Sequence, residues 1–537
     1  MRRLLKSRRR LLQHEPLEAR RLLAITVDTL VDEADGSIVD GDISLRDALA
    51  LAPSGETIDF DASLDGGTIL LTLGELVITD ALTIDATALA DGLTIDASGH
   101  DPSPDENNGD GSRVFDIDDG DDRTDSPVAI SGLTLTGGDA LRDGGAISTR
   151  ENLTVAFSAI LGNEAGDGGG GIFAFGNVTV TSSTVSGNLA GYGGGGIYAV
   201  GNVTVTNSTI SANSADRYGG GIKAFGDVTV ISSTISGNSA RNAGGIRANG
   251  DVMVSIENSI VAGNTSGMDA APDLRPGTDI LTVRYSLIGD NTRTRLSAAP
   301  VGTPDANGNL IGGPINGIID PLLAPLADNG GPTQTHALLF NSPAKDAGDP
   351  AFTPPPDFDQ RGSPFSRVFH GRIDMGAYER HTGDMDFDGD VDMDDIDVLV
   401  VALRDAGAYE DMYGAPPNSN GDIDGDGDLD FDDIPGFIDL LRPGASALRT
   451  ANGSFDVIGV ENDPVDAKLS TETRRETSNV SNLPRLKLLP TLKKRVSSSR
   501  LQSASVTKSR ELRDDELATI WSGDFDWLHG VGRDRFG

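Results

Sequence analysis

The sequence predicts an all-β protein built on a parallel β-helix solenoid of about 25 residues per rung, followed by a small α module with paired EF-hand-like calcium loops. Three observations predict the solenoid. First, the Gly-Gly-Ile elements place Ile147, Ile172, Ile197 and Ile222 at intervals of 25, with Ile246 after 24. A fixed period in the twenties is the mark of a solenoid, and the leucine signature of leucine-rich repeats is absent. Second, Asn163, Asn188, Asn213, Asn238 and Asn264 keep the same period to within one residue. Third, each unit carries a segment such as "NVTVT", whose apolar–polar alternation marks a strand with one buried face. With 68 glycines and only 5% aromatic residues, many turns and thin layers are expected rather than a thick core.

In chain order, "ISLRDALALAPSGETIDF" (43–60) predicts a short amphipathic helix and then a strand that together cover the open first rung. "GGTILLTLGELVITDALTIDATALADGLTIDAS" supplies early rungs of irregular spacing, and "DILTVRYSLIGDN" (279–291) a late one. The regular rungs hold three short strands each, typified by "IYA", "NVTVT" and "STIS". Stacking puts like over like about 4.8 Å apart. Val178, Val203 and Val228 then point inward, as do Val180, Val205 and Val230, while the asparagines stack at a corner and satisfy turn backbone. "GDGGGG" (166–171) satisfies GxGxxG, but it lies between strands with no helix after it, which argues against a dinucleotide site. The Asn-X-Thr triplets at Asn152, Asn177 and Asn202 read as ladder positions rather than glycan acceptors.

Two outward columns follow from the same register. One reads Ser148, Phe173, Tyr198, Lys223, Arg247; the other reads Arg150, Phe175, Val200, Phe225, Asn249. Stacked aromatics followed by cations suit sugar rings or an acidic glycan, with Phe173, Phe175, Tyr198, Lys223, Phe225 and Arg247 as the ligand-binding candidates. The alternative is a stripe covered by another segment, such as the cap or the tail.

Beyond the solenoid, "DMDFDGDVDMDD" and "DIDGDGDLDFDD" place oxygen ligands at loop positions 1, 3, 5, 9 and 12, glycine at 6 and an apolar residue at 8. Calcium takes six to eight oxygens, and this spacing curls a loop around it. Asp384, Asp386, Asp388, Asp392 and Asp395 would hold one ion with the Asp390 carbonyl; Asp422, Asp424, Asp426, Asp430 and Asp433 a second with the Asp428 carbonyl. Each loop leads into an apolar helix, with no helix before it, and position 12 is aspartate where EF-hands have glutamate. No cysteine is present, so disulfides and thiolate chemistry are excluded.

Several stretches resemble known families. "SLRDA" (44–48) is similar to the CSLREA-type element, and 25–293 as a whole resembles the pectin-lyase-like superfamily, implying a right-handed coil. "DNGGPT" (328–333), "SPA" (342–344), "DQRG" (359–362) and "DMGAYE" (374–379) resemble the choice-of-anchor Q domain over 294–380, read as a salt-bridged closing cap. The paired loops within 383–443 resemble a type I dockerin module, which implies a cohesin-like partner. Positions 10 and 11, Met393-Asp394 and Phe431-Asp432, depart from the hydroxyl pair common in cellulosome dockerins and put a familiar cohesin in doubt. The head, 1–24, carries eight Lys/Arg; "SRRRLLQ" has the look of a twin-arginine signal, and "PLEARRLLA" resembles the LEPR-XLL head, with Ala19 where proline is expected.

Residues 444–537 read as a disordered basic linker and a tail holding Trp521 and Trp527. A net charge of −39 argues against nucleic acid as the main partner, and no stretch approaches a membrane span. The outward positions of the regular rungs lack a stacked carboxylate pair. The expectation is therefore an exported, non-catalytic cell-surface or extracellular-matrix protein that displays a face to polysaccharide or a surface glycan. A polysaccharide lyase or glycoside hydrolase, with its site in irregular early rungs or in the loop 100–122, is the alternative.

Overall fold

The computed structural model describes residues 25–441, apart from 38–40, 105–107, 122, 268–270, 278–279, 340, 370, 388–390, 414–415 and 424–427. The basic head and the 444–537 segment with its two tryptophans lie outside the described residues, as do Asp388, Asp390, Asp424 and Asp426.

The chain coils as a parallel β-solenoid whose strands stack into four sheets, two of ten strands, one of eight and one of six. Val178–Thr181, Val203–Thr206 and Val228–Ile231 represent the valine sheet. Thr184–Ser186, Thr209–Ser211 and Thr234–Ser236 represent the threonine sheet. Ile172–Ala174, Ile197–Ala199 and Ile222–Ala224 belong to the isoleucine sheet. The rungs thus hold four strands rather than three. The fourth is as short as Leu189–Ala190, too brief to show alternation, and packs Ala190, Ala215 and Ala240 on one another.

Register follows the sequence period. Val178 pairs with Val203 and Val203 with Val228, and the next valines but one, Val180, Val205 and Val230, pair likewise. All six are buried, each inward branched side chain resting on its equivalent from the neighbouring rung.

Two corners carry buried ladders. At one, Asn188 Oδ1 accepts from Asn163 N and Nδ2, Asn213 Oδ1 accepts from Asn188, and so on through Asn238 and Asn264, at 2.9–3.0 Å throughout. At the other, Phe157, Ser182, Asn207, Ser232, Asn258 and Tyr285 all turn left-handed, with φ of 46–53°. The residue after each is a serine, and each serine from Ser158 to Ser259 donates its N–H to the next serine's Oγ at 3.1 Å. These hydroxyls satisfy backbone that the sharp bend would leave unpaired. Asn152, Asn177 and Asn202 form a third, exposed ladder, Oδ1 to the next backbone N–H. The glycine run supplies the return turn. Gly194 has φ +63°, and a Cβ there would meet Ile197 O at 2.4 Å.

A short helix packs at the amino-terminal end. Ser44 caps the helix Leu45–Leu51, which buries Leu45, Ala48 and Leu49 in the solenoid core. Arg46 fixes it through Asp32 at 2.7 Å and the Gly74 and Glu75 carbonyls.

At the other end the strand ladders run on to Leu310–Ile311, beyond the expected boundary at 293. The following segment lies against the outer face of the threonine sheet. Thr184 Oγ1 donates to Gln334 O at 2.6 Å, Thr209 Oγ1 to Gln360 Oε1 at 2.6 Å, and Thr234 Oγ1 accepts from Ala377 N at 3.0 Å. That cover explains why the outward threonines Thr184, Thr209 and Thr234 are buried. Gly376 makes the approach possible, since a Cβ there would stand 2.8 Å from Thr234 Oγ1. The segment holds a buried ion pair. Arg361 grips Asp359 at 2.7 Å with both side chains fully buried, between the rings of Phe365 and Tyr378 at 3.7 and 4.0 Å.

Residues 383–441 form a small helical module around Met385, Leu399, Ala402, Tyr409, Ile423 and Phe437. Helices Asp395–Arg404 and Ile434–Leu440 follow the two acidic loops. Helical turns at Ala406–Tyr413 and Asn418–Gly421 precede the second loop, where the sequence reading placed no helix. Low apolar content hides them; Tyr409 anchors the first through its hydroxyl on Met385 O at 2.9 Å. Among the described residues, no helix is long and apolar enough to cross a membrane.

Candidate functional site

The isoleucine sheet carries the ridge that the sequence singled out. Its outward column pairs Asp116, Ser148, Phe173, Tyr198, Lys223, Arg247 and Arg275 in register, rung on rung. Phe173 and Tyr198 stack with centroids 5.0 Å apart, and Tyr198 reaches Phe225 at 5.9 Å. Phe175 and Phe225, in the second column, are exposed, as is Val200.

The display differs from the expectation at two positions. Lys223 is 1% exposed and Phe173 is buried as well. Among the described residues, the cover comes from the solenoid's own glycine-rich turns. Tyr192 and Tyr218 fold over Lys223, whose Nζ lies 4.0 Å from the first ring, 4.3 Å from Tyr198 and 5.2–5.3 Å from Phe225 and Tyr218. Four ring faces stabilise the ammonium. Burial, and then the charge of Arg247, push Lys223 down to about 8. Tyr192 and Tyr218 were legible in principle, because each immediately precedes a glycine run, although Gly193 rather than Tyr192 pairs with Tyr218.

The acidic loops share one closure. Asp395 Oδ1 accepts from Met385 N and Oδ2 from Asp392 N at 2.8 Å. Asp433 does the same with Ile423 N and with Asp430 N at 2.9 Å. In both loops, then, the carboxylate at position 12 ties position 2 to position 9. Asp384, Asp386 and Asp395 bring carboxylate oxygens within 4.8 Å of one another. Asp384 and Asp422, at position 1, are buried; Asp392, Asp428 and Asp430 are exposed. An all-oxygen donor set of this charge suits a hard cation.

A third feature lies among the irregular early rungs. Glu75, His100, Ser112, Arg113 and Arg142 line a cavity of about 470 Å³. Arg113 Nη1 stands 3.1 Å from both Glu75 and Asp116. Burial raises Glu75, while the Arg113 charge works against the rise.

Comparison with protein-family models, with curated proteins and with solved structures finds no match for this chain. What the fold establishes is a parallel β-solenoid.

Proposed function

We propose that the protein is an exported, non-catalytic display scaffold. Its solenoid offers the Phe175–Tyr198–Phe225 ridge to a polysaccharide or surface glycan. The 383–441 module, dockerin-like, binds two calcium ions through its acidic loops and attaches the protein to a cohesin-like partner.

The observation that carries this reading is the repeated closure, in which Asp395 and Asp433 each tie two backbone N–H groups of their own loop. In the first loop Asp384, Asp386 and Asp395 bring carboxylate oxygens within 4.8 Å of one another, and a divalent ion would relieve their mutual repulsion. Calcium titration of the full chain by calorimetry tests it. Two sites are expected, with Asp395→Ala and Asp433→Ala each abolishing one; absence of binding heat overturns the calcium reading. Pull-down of a partner with and without chelator tests attachment.

A second reading, polysaccharide lyase or glycoside hydrolase, is favoured by the Glu75–Arg113–Asp116 group at the cavity. Both carboxylates touch one guanidinium nitrogen at 3.1 Å, which brings the two acids close together. Arg113 neutralises them, however, which suits structure better than proton transfer. Unsaturated-product absorbance and reducing-sugar assays on acidic and neutral polysaccharides separate the two readings.

A further inference from the structure

We infer that Arg247 and Arg275 form an anion subsite on the ridge, one that takes the carboxylate or sulfate group of an acidic glycan. This rests on the ridge being a glycan-binding face and adds a charge preference to it.

Lys223, Arg247 and Arg275 occupy the same outward position on three consecutive rungs, paired Cα to Cα. Three cations therefore stack at about the 4.8 Å strand spacing. Arg217 joins them from the adjoining turn, its Cζ 5.7 Å from the Tyr192 ring centre. Among the described residues none of the four makes an ion pair, although the chain carries a net charge of −39.

What the two arginines share instead is one neutral oxygen. Arg247 Nη1 and Arg275 Nη1 both donate to Asn242 Oδ1, at 3.1 and 2.8 Å. Arg247 spends one further donor on Asn249 Oδ1 at 2.8 Å. Each guanidinium has five N–H donors, so most remain for a ligand. Burial and the neighbouring charge of Arg275 hold Arg247 below the usual arginine range, a repulsion that a bound anion would remove. Asn242 Oδ1 holds the two guanidinium groups side by side through one nitrogen of each, and the planar fork of arginine suits a carboxylate or sulfate. Arg247 and Arg275 are half-buried and Phe225, beside the Lys223 rung, is exposed, so an anionic sugar could meet the forks while its neighbour rests on the ring.

Affinity electrophoresis of the full chain tests this, with gels containing polygalacturonate, a sulfated galactan or a neutral galactan. The expected result is stronger retardation by an acidic polymer than by the neutral one. Arg247→Gln/Arg275→Gln should weaken acidic binding about tenfold and flatten its salt dependence, with a much smaller loss of neutral binding. Arg275→Gln alone, at the edge of the stack, should show part of the effect if the double variant folds poorly. An acidic preference that survives the double variant overturns the subsite, as does equal retention of acidic and neutral polymers, which would leave the ridge reading intact. If no glycan is retained but inorganic sulfate raises the unfolding temperature in an arginine-dependent manner, the subsite stands and the ridge reading falls. If nothing binds, both fail. The carboxylated and sulfated arms identify which anion is preferred.

Discussion

Asn264 donates both its backbone N–H and its side-chain N–H to Asp273 Oδ1, at 3.1 and 2.9 Å, so the buried asparagine ladder ends on a carboxylate. Every amide in the ladder donates toward that end, and Asp273 Oδ2 accepts from Asp290 N at 2.6 Å. The corner is thus a chain of aligned dipoles running from Asn163 to an acid.

The ladder should be costly to interrupt. Asn213 accepts from Asn188 and donates to Val185 O and to Asn238 Oδ1. Asn213→Ala would strand buried donors and acceptors on two rungs, and a loss of about 3 kcal/mol is expected. Denaturant unfolding of the variant checks this; a loss near zero would show that the ladder follows the coil rather than supporting it.

Asp273 makes stability depend on pH. Burial pushes its carboxyl up to about 7, against the hydrogen bonds from Asn264 and Asp290 that favour the ionised form. The folded state therefore holds the proton more tightly than the unfolded chain. The resulting stabilisation is full below the unfolded value near pH 4 and is lost as pH rises through about 7. Asp273→Asn extends the amide ladder with a neutral group. The variant should gain on the parent steadily from pH 4 to pH 7 in unfolding experiments, and parallel curves would count against the assignment.

Gln360 should fasten the lateral segment to the solenoid. It is buried, donates to Thr184 Oγ1 at 2.8 Å and Thr333 Oγ1 at 2.9 Å, and accepts from Thr209. Gln360→Ala should cost about 2 kcal/mol and expose 312–380 to limited proteolysis while the solenoid fragment persists. Unchanged cleavage would place the adhesion elsewhere, for instance in the cluster of Ile260, Leu287, Leu338 and Met375.

Arg361 should resist replacement by lysine. The planar group binds Asp359 through Nε and Nη2, donates to Glu379 O at 2.7 Å, and stacks between two rings. Lysine has neither fork nor plane, so Arg361→Lys leaves Asp359 buried and poorly paired, at a cost of about 3 kcal/mol. A calorimetric unfolding temperature equal to the parent's would contradict this.

Much of this protein was readable without coordinates wherever an interaction repeats. The 25-residue period, the inward valines, the asparagine corner and the helix after each acidic loop all follow from local pattern, because stacking matches each residue with its own copy. The cation at position 223 could also be read, and so could the tyrosines near it. Their mutual geometry could not, since the turns decide whether a ring faces solvent or folds over Lys223. Likewise "DQRG" contains the Asp359–Arg361 pair, yet nothing in it says that the pair is buried or that the segment lies on the threonine sheet. Thr184, Thr209 and Thr234 look alike whether wet or covered, and only the approach of Gln334, Gln360 and Ala377 from some 140–150 residues away settles it. Short-range periodicity fixes what stacks on what; which outward face stays open is decided by non-local burial, which leaves no period in the chain.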